Sequence, residues 1–150
     1  MNVCGDCGAV QPKGAACLSC FHALLAYENE RPPAFGAVHH LTVATYYLQH
    51  PRGYTSDVLR AWRDLLSDAL DAGGRANPRD FLRRASRDFS GPIRVRDPEA
   101  TPPEWWPRQW TMTIQSVITP DEVIEVEEYV ARARQWAAET RGALERVWVP

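Results

Sequence analysis

Four cysteines stand in the first twenty residues, and none follow in the remaining 130. They read Cys4-Gly5-Asp6-Cys7, then nine residues, then Cys17-Leu18-Ser19-Cys20. A thiolate pair two residues apart can bend around one ion, and two such pairs complete the tetrahedral S₄ shell that zinc prefers. The seventeen-residue stretch is too poor in apolar side chains to bury four reduced thiols without an ion. Whatever else the chain folds into, its front end is expected to be organised by Zn²⁺ held by Cys4, Cys7, Cys17 and Cys20. A closed four-ligand shell leaves no position for water, so its expected role is folding. Phe21-His22 follows directly, and His22 is the alternative fourth ligand, in a Cys₃His shell.

The rest of the chain carries helical patterns. Phe21 to Glu28 reads as a short helix stopped by Arg31-Pro32-Pro33. A second helix is expected from Gly36 to Gln49, apolar around nearly its whole circumference and therefore buried. His50-Pro51 ends it. Thr55-Ser56-Asp57 caps a third, with the stripe Val58, Trp62, Leu65, Leu66, Ala69 and Leu70. Asn77-Pro78 opens a fourth, short one through about Asp88. Residues 90–108 hold five of the twelve prolines and read as an irregular loop, with a short strand at 93–96. Residues 111–117 read as a strand or a helical turn. Thr119-Pro120-Asp121-Glu122 is a capping-box start for a long last helix. Its expected stripe is Val123, Val126, Val130, Ala133, Ala137, Thr140, Leu144 and Val147. The fold class is thus mostly α, a compact helical domain with at most a minor β element. Residues 1–20 form the knuckle, and residues 21–150 form a helical domain packed with it as one globular unit.

All four histidines fall between positions 22 and 50. On one helix, His39 and His50 are separated by about 16 Å along the axis, too far to share an ion. One of them could join His22 and Glu28 from the preceding helix if the two helices pack antiparallel. His22, Glu28 and His39, His40 or His50 would then form a second site of imidazole and carboxylate, the ligand set of catalytic zinc, nickel or iron. The plainer alternative is that these histidines are buried polar groups, each with one ring nitrogen on a carbonyl or a tyrosine.

Two stretches resemble a known family. They are Phe21-His22-Ala23-Leu24-Leu25-Ala26-Tyr27-Glu28 and Val38-His39-His40-Leu41-Thr42-Val43, the latter leading into Leu48-Gln49-His50-Pro51. Together with the Cys-x-x-Cys-Gly knuckle, which itself is similar to small bacterial zinc ribbons, they resemble a family of short uncharacterised bacterial proteins. That family's second cluster often has a single cysteine, matching Cys17, before Phe-His. The resemblance therefore implies that Cys20 is a departure and strengthens His22 as fourth ligand. It implies no reaction.

Net charge is −2, which excludes a global basic field for nucleic acid. The only basic hint is Arg75 to Arg96, read as a solvated face. No apolar run reaches membrane length. No signal peptide is evident, so a reducing, cytoplasmic setting is expected. No glycine-rich phosphate loop, Gly-x-Ser-x-Gly or His-Glu-x-x-His occurs. The expected role is a binding, adaptor or regulatory module for a protein partner. The alternative is a metal-dependent enzyme of hydrolase or transferase type using the histidine site.

Overall fold

The computed structural model describes residues 2–11, 16–73 and 96–148. Among them the chain forms a two-stranded antiparallel hairpin and four α-helices. The strands are β1 (Asn2–Val3) and β2 (Val10–Gln11). The helices are α1 (Cys17–Glu30), α2 (Pro32–Gln49), α3 (Ser56–Asp71) and α4 (Val126–Val147). A single 3₁₀ turn covers Ile114–Ser116. The architecture is mostly helical, as the periodicity implies. The expected helix after Pro78 and most of the expected strand at 93–96 lie outside the described residues. Arg96 itself forms an isolated antiparallel bridge to Tyr54.

Arg31 is at once the C-terminal cap of α1 and the N-terminal cap of α2. Pro32 and Pro33 then occupy the first turn of α2, where a missing N–H costs nothing. The proline pair that stops one helix therefore starts the next. The result is an antiparallel pair with a legible register. Glu28 meets Thr42, Phe21 stacks on Tyr46 with ring centroids 3.9 Å apart, and Cys17 meets His50. Each step back along α1 is matched by a step forward along α2.

α2 is the central element, packed against α1, α3 and α4. Its buried residues include Val38, Leu41, Ala44, Thr45, Tyr46 and Leu48, which lie all around the helix, as its unbroken apolar character requires. The buried Thr45 hydroxyl donates back to the Leu41 carbonyl. Gln49 Nε2 donates to Thr140 Oγ1 of α4 (2.8 Å) and to the Met112 carbonyl (2.9 Å). The last carbonyls of a helix lack intrahelical donors, and at the end of α2 the His50 N–H serves Tyr46 and Tyr47. Leu48 O accepts from the Trp106 indole N–H at 3.0 Å, which anchors the proline-rich segment to this helix end.

α3 starts as its sequence implies, with the Thr55 side chain accepting from Val58 N. α4 does not. The Thr119-Pro120-Asp121-Glu122 signature closes only a turn: Glu122 N donates to Thr119 O, and Thr119 N donates to Glu122 Oε2. The helix begins at Val126, and Val123 is 95% exposed rather than the first member of the buried stripe. Glu122 is drawn off to Arg132, whose guanidinium bonds Glu122 at 2.7 Å and Glu128 at 2.6 Å. The buried stripe of α4 is Tyr129, Ala133, Trp136, Ala137, Thr140 and Leu144. Residues 111–117 form the 3₁₀ turn rather than a strand.

Candidate metal centre

The hairpin carries the first cysteine pair at its tip. Cys4 N donates to Ala9 O, and Gly8 N donates to Cys4 O, which closes a tight loop around Cys7. Gly8 has φ +75°, in the left-handed region, and a Cβ there would stand 2.7 Å from the Arg108 carbonyl oxygen. The loop is thus pressed onto the backbone of the proline-rich segment. Gly8→Ala is expected to lower stability by about 1–3 kcal/mol, from backbone strain and this clash. Denaturant titration of the variant against the parent chain checks it, and an unchanged midpoint would contradict it.

Cys17 opens α1, where the positive end of the helix dipole favours a thiolate. It has no side-chain cap and no acidic residue in its first turn to compete for that position. His50 caps the far end of α2 and reaches the same place through the antiparallel register. Its Nδ1 lies 2.8 Å from Tyr46 O and donates to it, which leaves the Nε2 lone pair free. That Nε2 is buried and has no hydrogen-bond partner. The Tyr46 ring stacks on the imidazole at 4.2 Å and holds its plane.

One ligand atom from each of Cys4, Cys7, Cys17 and His50 lies within 4.8 Å of every other. The Cys7 and Cys17 sulfurs are 3.6 Å apart. That is far beyond a disulfide bond. It is close to the edge of roughly 3.8 Å expected of a tetrahedron with metal–sulfur bonds of about 2.3 Å. All four cysteines are free thiols. Gln11 Nε2 stands 3.8 Å from Cys17 Sγ, a donor behind the cluster. The set can hold a metal ion.

The pair Cys7 and Cys17 shares its charge unevenly. The hydrogen bond shared with Cys7 pulls Cys17 down to about 4. The same hydrogen bond and then burial push Cys7 well above the ordinary thiol range. An incoming ion must displace the proton that the two sulfurs share. Metal affinity is therefore expected to rise with pH, roughly tenfold per pH unit for each thiol proton displaced. Competition with a chromogenic chelator at pH 6, 7 and 8 measures this, and a flat profile would count against it.

The fourth member of the converging set is His50, not a residue that the sequence placed with the first three cysteines. Cys20, ranked first there, is fully buried but does not belong to the converging set. Burial, and then the neighbouring Cys17, raises its pKa. His22, the alternative, is exposed on α1 and also outside the set. The sequence places His50 with the other histidines, as a possible alternative ligand or part of a second site. The α1–α2 register brings it to Cys17 instead.

The other named residues gather elsewhere. Glu28 is 0% exposed. Its Oε1 accepts from Tyr129 OH (2.6 Å) and Thr42 Oγ1 (2.8 Å), and its Oε2 lies 2.7 Å from His39 Nδ1. One buried carboxylate thus ties α1, α2 and α4. The His39 ring stacks on Phe35, with His40 5.9 Å away. Burial and then His39 hold the His40 imidazole below its usual range. Among the described residues no second group of three or more potential ligands converges, so Glu28, His39 and His40 do not form a metal cage with His22 or His50.

No helix among the described residues is long and apolar enough to cross a membrane. The profile of a family of unknown function, DUF5946, matches residues 2–145, and the chain belongs to that family. Membership agrees with the expected kinship to uncharacterised proteins. No curated protein and no solved structure matches the chain.

Proposed function

We propose that the chain is a zinc protein. In this reading Cys4, Cys7, Cys17 and His50 close a structural Cys₃His centre, and the helical body works as a binding module in a reducing, cytoplasmic setting. The observation that carries the metal reading is the buried, unpartnered His50 Nε2 beside three free thiols. A buried nitrogen lone pair with no donor is costly, and an ion resolves it. Zinc is favoured because thiolate with imidazole in a tetrahedron is its usual protein shell, and because four protein ligands leave no open position for a reaction. The ion would pin the hairpin, too small to fold alone, to α1 and α2. Elemental analysis of protein purified without chelator is expected to give one zinc per chain. Protein without bound metal, folded equally well, would overturn the reading.

A second reading, an enzyme, has one observation in its favour. Glu28 orients His39 through Nδ1, the arrangement of a carboxylate–histidine pair whose Nε2 does chemistry. A metal-dependent form of it calls for a second ion per chain, so the same elemental analysis separates the two.

A further inference from the structure

A cavity of about 480 Å³ lies against the metal centre. That volume is within the range of about 300–1,000 Å³ usual for small-molecule sites. Two of its three walls belong to segments the ion would fix. Gly5 and Asp6 lie between Cys4 and Cys7, and Pro51 and Arg52 follow His50 directly. The third wall is the proline-rich segment, with Glu104, Trp106 and Arg108. Trp106 is buried, and its indole N–H is already taken by Leu48 O, so it backs this wall from behind and brings no free donor.

The charges around this apolar floor are balanced in number but not all paired. Arg52 and Asp6 satisfy each other at 3.3 Å. Arg108 and Glu104 are exposed at the rim and have no partner among the described residues, so both are open to a solute. The Arg108 backbone is held in place by its close approach to Gly8. A simple anion would answer Arg108 and meet repulsion from Glu104 and Asp6, and a simple cation would face the reverse. A molecule bearing both signs, with a compact body between them, answers both.

We infer that this cavity is the ligand site of the binding module and that it takes a zwitterion with a free ammonium and a free carboxylate, a free amino acid or a short peptide. Arg108 receives the carboxylate, Glu104 the ammonium, and the lining prolines Pro51, Pro102 and Pro107 the body. The inference rests on the binding-module reading above and on the metal centre as builder of two walls.

The test is calorimetric titration of the full chain, with metal content measured on the same sample. The probes are the twenty free amino acids and a tripeptide panel, each tripeptide with free ends, N-acetylated, and C-amidated. At least one free-ended probe is expected to bind. Blocking either end should weaken that probe at least tenfold. Glu104→Gln should cost the free-ended probe as much as acetylation does, and Arg108→Gln as much as amidation. The free amino acid and tripeptide arms distinguish the two sources. Failure of every probe on a zinc-loaded chain, or blocked probes binding as well as free ones, overturns the pocket and leaves the metal centre standing. A chain that holds no zinc overturns the metal centre, and the same panel still decides the pocket.

Discussion

His50→Ala is expected to weaken zinc binding by roughly a hundred- to a thousand-fold, while Cys20→Ser keeps one ion per chain at nearly parental affinity. The magnitude follows from dividing about 10–16 kcal/mol of zinc binding among four ligands, which assigns about 2.5–4 kcal/mol to each. The contrast separates the two candidate shells. In an S₄ shell the serine at position 20 would be the damaging change, and the alanine at position 50 would cost only the packing of one imidazole on Tyr46. Because metal binding and folding of the hairpin are linked, His50→Ala should also lower the midpoint of thermal unfolding in the presence of zinc and narrow the gap between metal-loaded and chelated protein. Competition titration with a chelator of known affinity reads the first effect and scanning calorimetry the second. Equal losses in both variants would exclude the assignment of His50 over Cys20.

Glu28→Ala is the second large effect. The fully buried carboxylate is met by a tyrosine hydroxyl, a threonine hydroxyl and an imidazole from two other helices. Removing it leaves the Tyr129 hydroxyl and the His39 Nδ1 without their acceptor, while Thr42 keeps the His39 carbonyl, and it opens a void between α1, α2 and α4. Breaking such a buried polar cluster from one side costs about 3–5 kcal/mol, a large part of the stability of a domain this size. Tyr129→Phe removes one donor and keeps the volume, so a smaller loss of about 1–3 kcal/mol is expected. Urea unfolding of both variants measures the difference. Zinc content should be unchanged in each, because the cluster lies about two helical turns from Phe21 and further still from Cys17. If Glu28→Ala left stability intact but abolished a second bound metal, the enzyme reading would gain and the structural role of Glu28 would fall.

Much of the architecture is written in local patterns. The all-round apolar character of α2 marks it as the central helix, and the Thr55 cap with its 3.6-residue stripe sets α3. Those signals are local and not opposed by tertiary contacts. The start of α4 shows the limit of such reading. The capping chemistry at Thr119 to Glu122 is present and used, but it closes a single turn because Arg132 draws Glu122 away and the chain stays extended until Glu125. The cysteines announce a metal site through spacing alone. The fourth member does not, because its position depends on how two helices align. A signal for it exists: with Arg31 as the hinge and prolines at the start of α2, residues whose numbers sum to the high sixties face one another. Cys17 with His50 obeys that rule, as Phe21 with Tyr46 does. The same hinge accounts for Glu28 meeting Thr42, which composition and periodicity do not reveal.

The central claim is a Cys₃His shell joining the front hairpin to the end of α2. Zinc-edge X-ray absorption fine structure of the purified chain tests it most directly. The account predicts three sulfurs at about 2.3 Å and one imidazole nitrogen at about 2.0 Å, with the outer-shell imidazole signal lost in His50→Ala. Four sulfurs with no imidazole signal, or a shell of nitrogen and oxygen alone, would contradict it.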